Sequence, residues 1–264
     1  MKTITSTQIE KFCIFLMEEE KSDATISKYL RDIHCFVAFL SEKELNKSVV
    51  LSYKAHLLER YAVTSVNSML SSLNAFFTYM EWLDLKVKTV KVQCQIFASN
   101  ERELSKLEYE RLLKVAKDKK SMRLYLLIQT ICACGIRVSE LKYITVEAVC
   151  IGHVEISCKG KRRTVFLPRE LCKMLKKYVG EQKIKSGSIF ITKKGNPLDR
   201  SNIWSDMKKL CKRANVAAEK VFPHNLRHLF AKTYYCLKKD LSRLADILGH
   251  SNINTTRIYV KENG

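Results

Sequence analysis

Glycine and proline are scarce, at 8 and 3 in 264 residues. A chain so poor in turn-formers is neither collagenous nor a meander of many short strands. With 46% hydrophobic residues it should fold, and mostly as helix. No apolar run approaches membrane-spanning length and no signal-peptide pattern opens the chain, which predicts a cytoplasmic protein with no membrane partner. The ten cysteines include no Cys-x-x-Cys pair, and no histidine stands at zinc-finger spacing from them. Cys13 and Cys132 sit inside apolar runs, as small buried hydrophobes do in a reducing compartment. Acidic residues are the remaining shortage, with 27 Asp and Glu against 47 Lys and Arg and a formal charge of +20. That excess suits a polyanion. Nucleic acid is favoured over a membrane surface because no single basic amphipathic helix stands out. Charge alone is equally compatible with a merely basic soluble protein.

Four amphipathic stripes fill the first ninety residues. Ser6 or Thr7 can cap a helix carrying Ile9, Phe12, Cys13 and Leu16. Asp23 or Thr25 can cap a second, with Ile26, Leu30, Ile33, Val37 and Leu40. Ser48 can start a third, with Leu51, Leu57 and Leu58 inward. Thr64 can start a fourth, running to about Leu83. Lys21, Lys28, Arg31, Lys47, Lys54 and Arg60 lie between the stripes, either as solvated surface or as contacts to phosphates. Leu85 to Lys91 breaks the helical period and reads as a basic linker. The expected division is a helical domain over 1–90, a linker over 91–103 and a second domain over 104–264.

In that second domain Ser105-Lys106-Leu107-Glu108 is a capping box. A helix follows from Met122 to about Ala133, with Gly135 as its stop. Arg137 stands just past the break, where a rigid corner can aim its fork at phosphate oxygens. Glu140 is a ready local partner for it. Three short β-signals come next, at 148–151, 154–157 and 164–167. The turn between the last two holds Lys159-Gly160-Lys161-Arg162-Arg163, four cations that are either solvated or placed to enter a groove. A lysine there can also hand a proton to a leaving oxygen. Residues 188–191 are a further possible strand. The predicted class is therefore mainly α with a small antiparallel β-sheet.

Pro223 opens a helix on which His224 and Arg227, three apart, share a face. Gly249 ends another, leaving His250 at its exit, and Asn254 or Thr255 can cap the last helix, which presents Tyr259. A lone tyrosine or histidine is ordinarily a packing residue. The order and spacing of the set argue otherwise.

Four blocks carry a resemblance: Cys-Gly-Ile-Arg-Val-Ser-Glu-Leu at 134–141, Lys-Gly-Lys-Arg-Arg at 159–163, Pro-His-Asn-Leu-Arg-His at 223–228, and Leu-Gly-His-Ser-Asn-Ile-Asn-Thr-Thr-Arg-Ile-Tyr at 248–259. With them the chain resembles the tyrosine recombinase, or phage integrase, family in its two-domain, Xer-like form. The resemblance implies a helical core-binding domain plus an α+β catalytic domain, which cleaves and rejoins duplex DNA through a 3′-phosphotyrosyl intermediate. It implies Tyr259 as nucleophile, Arg137 and Arg227 as an activating clamp, His224 and His250 as supporting imidazoles, Lys159 as general acid and Glu140 as structural support. It also implies a double-stranded core site as partner, a tetramer on DNA, and accessory proteins in some systems. Cys134 and Leu229 stand where the family commonly has threonine. Only four residues follow Val260, where the family usually carries a helix that docks on the neighbouring subunit. Either the chain is shortened or that contact is made differently. The resemblance implies no arm-site domain.

The chemistry of the residues agrees with these roles. Two arginines can neutralise non-bridging oxygens as charge builds in the transition state. A phenol, with an ordinary pKa of about 10, needs a base or a cationic field. Exchanging one phosphate ester for another needs no ATP. No pair of carboxylates accompanies the His/Arg set, so neither metal nor cofactor is expected. A type IB topoisomerase and a non-catalytic DNA-binding regulator are the rival readings.

Overall fold

The computed structural model describes residues 2–41, 43–91, 103–118, 121–158, 161–250 and 252–260. The chain forms two compact units, Met1–Gln95 and Ile96–Gly264. The linker expected over 91–103 falls almost wholly outside the described residues.

The first unit is a bundle of α1 (Ser6–Glu18), α2 (Asp23–Leu40), α3 (Lys47–Arg60) and α4 (Val63–Tyr79). Its caps lie upstream of the expected ones: Thr5, in a capping box with Gln8, then Ser22 and Asn46. Each is the last residue before the helix whose side chain reaches a free N–H. Inside, Phe12 meets Phe76 edge-on at 5.3 Å and Phe36 meets Phe77 at 6.0 Å. The third helix turns Val50, Tyr53 and Leu57 inward. The expected Leu51 and Leu58 are exposed, because the helical step that buries Leu57 runs back through Tyr53 and Val50.

Two features organise this unit's polar groups. Asp32 is buried on α2, where its carboxylate accepts from Ser72 at 2.9 Å and faces Lys28 at 2.9 Å. The stretch expected as a linker is instead strapped to the bundle. Leu85, in a short 3-10 turn (Leu83–Leu85), and Val87 are buried in the core. Asn74 brackets Val87, accepting from its N–H at 3.0 Å and donating to its carbonyl at 2.8 Å, and Asn67 does the same for Val90 at 2.8 and 2.8 Å. Lys47 and Lys54 donate to the Lys86 and Lys88 carbonyls. Cations that read as surface or phosphate contacts thus tie down the strap. Period-breaking sequence here means extended backbone satisfied by side chains.

The second unit runs α5 (Lys106–Asp118), α6 (Met122–Cys134), a 3-10 turn (Val138–Tyr143), α7 (Val146–Ile151), β1 (His153–Cys158), β2 (Lys161–Phe166), α8 (Arg169–Glu181), α9 (Arg200–Ala214), α10 (Pro223–Lys238), α11 (Leu241–Leu248) and α12 (Ile253–Val260). The Ser105–Glu108 capping box forms, at 2.8 and 3.2 Å. α6 lies central, with Leu127, Ile128 and Ile131 buried among Leu112, Leu175, Ile203 and Leu226. Ala231, Leu244, Leu248 and Tyr259 form a smaller core of their own.

The class is mainly α with one small antiparallel sheet, β1 against β2, pairing Val154 with Val165 and Ile156 with Arg163. Two of the expected strands are absent. Residues 148–151 belong to α7, because Thr145 caps the Ala148 N–H at 3.1 Å and Gly152, at φ 88°, stops the turn. Local capping overrides the β preference of Val149 and Ile151. Residues 188–191 make only isolated bridges, Thr145 to Ser188 and Ile191 to Pro197. Among the described residues no helix is long and apolar enough to cross a membrane.

Candidate nucleic-acid cleavage site

Arg137 owes its place to the break in α6. Gly135 takes φ 62°, and a Cβ there would collide with the Phe230 ring, so the corner is open only to glycine. Glu140, in the following turn, reaches back. It accepts from the Arg137 backbone N–H at 2.7 Å and from Arg137 Nη1 at 3.0 Å. Only 1% of Glu140 is exposed. A second arginine, Arg163 of β2, closes on the same carboxylate, with Nη1 to Oε1 at 2.9 Å and Nη2 to Oε2 at 2.8 Å. Burial works against the Glu140 charge, but the bonds from Arg163 and the Arg137 backbone outweigh it and hold its pKa below 4.5.

Pro223 presets the first turn of α10, and Arg227 follows one turn later, only 2% exposed. Its Nη1 donates to the Gly135 carbonyl at 2.6 Å and its Nη2 to the Leu248 carbonyl at 2.6 Å. Arg227 Nη2 also lies 3.0 Å from His250 Nε2. A guanidinium can only donate, so Nε2 accepts and the His250 proton resides on Nδ1, 2.8 Å from Thr256 Oγ1. Desolvation, followed by the charges of Arg227 and Arg137, holds the His250 pKa down to about 4. Burial, then Arg137, pushes Arg227 down to about 10, so it stays a cation at neutral pH. No carboxylate joins its hydrogen bonds among the described residues.

Tyr259, 7% exposed on α12, sits among three imidazoles. Its hydroxyl lies 3.3 Å from His224 Nε2. The His228 ring stacks on it with centroids 4.9 Å apart, and the His250 ring is at 5.4 Å. Desolvation, then the positive field of His228, Arg227 and Arg137, lowers the His224 pKa. His224 and both clamp arginines line one cavity of about 520 Å³, together with Lys142, Arg200 and Trp204.

Of the residues expected at the site, Arg137, His224, Arg227, His250 and Tyr259 converge. Lys159 lies outside the described residues. Arg163 and Thr256 were not expected in the cluster, and His228, though within the 223–228 block, had no role assigned to it. A signal existed for two of them. Arg163 stands two positions before the buried Val165 in β2 and so shares its inward face, and His228 is one helical turn beyond His224. Thr256 carried none. Among the described residues no group of three or more His, Cys, Asp or Glu side chains is arranged to hold a metal.

Comparison with known proteins adds to this geometry. Residues 102–264 match the phage integrase family, and residues 9–83 match the phage integrase N-terminal SAM-like domain. The tyrosine recombinase XerD of Pseudomonas aeruginosa is 30% identical, over 98% of this chain and 94% of its own. The tyrosine recombinase XerA of Thermococcus kodakarensis is 29% identical, over 96% and 90%. In fold, the chain resembles the XerH site-specific recombinase crystallised with its difH substrate, at a TM-score of 0.75 and 22% identity over 99% and 82%.

Proposed function

The chain belongs to the phage integrase family, and from that membership we propose that it is a site-specific DNA recombinase whose nucleophile is Tyr259. One observation carries the assignment of roles: the Tyr259 hydroxyl is 3.3 Å from His224 Nε2, in a cluster whose buried cation, Arg227, makes no hydrogen bond to a carboxylate among the described residues.

In the proposed reaction the scissile phosphate occupies the cavity between Arg137 and Arg227. Tyr259 Oη attacks phosphorus and its proton passes to His224 Nε2, whose lowered pKa keeps it able to accept at neutral pH. The P–O5′ bond breaks, and the 5′ oxygen takes a proton from the general acid, assigned to Lys159. The products are a 3′-phosphotyrosyl ester and a free 5′-hydroxyl. Attack by the 5′-hydroxyl of a second strand reverses every transfer and regenerates the phenol. The arginines act where charge builds on the non-bridging oxygens. Met1–Gln95 serves as the core-binding domain, and the chain works as a tetramer on duplex DNA in the cytoplasm.

A nicked suicide duplex, carrying a core site the protein selects from a randomised pool, tests this. Wild type should accumulate a covalent adduct, and Tyr259→Phe should form none while binding the duplex equally well. An adduct that persists in Tyr259→Phe would remove the assigned nucleophile. No adduct with wild type would remove the enzyme reading altogether.

A further inference from the structure

Arg163 does not belong to the set that holds the phosphate in the proposed reaction, yet both of its Nη atoms are committed beside the clamp. It spans both oxygens of Glu140, and its side chain is only 13% exposed. Its Nε is buried without a hydrogen-bond partner among the described residues. An orphaned buried donor costs stability, so this placement is not optimised for folding alone. The fold also makes room for it. Gly249 takes φ 64°, and a Cβ there would stand 2.8 Å from Arg163 Cδ and 2.8 Å from Nη1. The residue immediately before His250 is thereby kept bare for an arginine from the hairpin.

The charges explain why. Glu140 holds Arg137 by its backbone N–H and by Nη1. Alone with Arg137, that carboxylate would neutralise the cation it positions. A second guanidinium on the same two oxygens takes up the negative charge, so the Arg137 fork stays available to an anion. We propose that Arg163 is a positioning residue that acts through Glu140: it is the counter-ion that lets Glu140 orient Arg137 without quenching it. The inference rests on the recombinase reading given above.

Single-turnover cleavage of the selected suicide duplex by Arg163→Met and Arg163→Lys tests it. On the natural phosphate Arg163→Met should cleave roughly 10- to 100-fold more slowly, as losses of outer supporting groups do, with DNA affinity little changed. Arg163→Lys, which keeps charge but lacks the fork, should fall between and guards against a folding defect in the first variant. Two altered duplexes locate the effect. A methylphosphonate at the scissile position carries no charge for Arg137 to meet, so the gap between variant and wild type should nearly close there. A bridging 5′-sulfur, which leaves without a general acid, should leave the gap as it is. Full activity of both variants, equal losses on phosphate and methylphosphonate, or rescue by the bridging sulfur would each overturn the route through Glu140. Wild type serves as the control in every arm. If it forms no adduct, the recombinase reading fails rather than this one.

Discussion

Both units bury charged side chains, and Asp32 of the first and Arg227 of the second are treated oppositely. In the first unit Asp32 is enclosed by Lys28 and Ser72, with Arg31 at 3.4 Å, so the carboxylate is answered by opposite charge and a hydroxyl. In the second, among the described residues, the hydrogen bonds of Arg227 go only to dipoles: two backbone carbonyls and an imidazole that accepts. Dipoles orient a guanidinium without cancelling it. The first arrangement is complete by itself. The second retains net positive charge in a region of lowered dielectric, where an arriving anion is bound far more strongly than in water. A buried ion therefore signals structure when its counter-charge is present, and signals binding when only oriented neutral groups surround it.

The sharpest way to break this contrast is to remove each ion. Arg227→Ala should lower single-turnover cleavage by about 100- to 1000-fold, as loss of one oxyanion donor does, with a much smaller change in DNA affinity. Equal losses in the two would make Arg227 a phosphate anchor only. Asp32→Ala should do the reverse. Urea unfolding of the full chain should show about 3 kcal/mol of lost stability, the low end for a broken buried pair because Lys28 can turn to water, while the folded fraction still cleaves. A stable Asp32→Ala protein that fails to cleave would place Asp32 in the functional machinery and erase the contrast.

The smallest effect concerns pH. The folded-state pKa of His250, about 4, lies below its ordinary 6.5. Between those values the unfolded chain binds the extra proton, so stability is fully present above about pH 6.5 and declines as pH falls toward 4. His224 is shifted in the same direction. Glu140 acts below this window, since its pKa is held under 4.5. The melting temperature of wild type should fall from pH 7 to pH 5 more than that of His250→Gln. Identical slopes would mean that His250 is not held neutral by its neighbours.

The polar cluster was legible because its members sit at structural punctuation. Gly135 and Gly249 end helices, Pro223 begins one, and Arg137, His250 and His224 follow directly from those points. The helices of the first unit were legible from their stripes. What escaped was nonlocal or decided by a single cap. Thr145 and Gly152 make residues 146–151 a helix despite their β-branched content. Asn67 and Asn74 turn an apparent linker into a bound strap through partners 13 to 23 positions away. Arg163 read as one of four cations on a turn, because nothing local distinguishes a guanidinium that points outward from one that closes on a glutamate 23 positions earlier.

The satellite core of Ala231, Leu244, Leu248 and Tyr259 has a consequence of its own. The helix bearing the phenol is only eight residues long, and its anchorage is separate from the large apolar centre around α6. Prising it loose exposes a handful of side chains and costs correspondingly little, whereas moving the Arg227 guanidinium would break its bonds to two backbone carbonyls deep in the unit. The Arg227 guanidinium is thus fixed by the frame of the unit, while the Tyr259 phenol rests on a small packing cluster of its own.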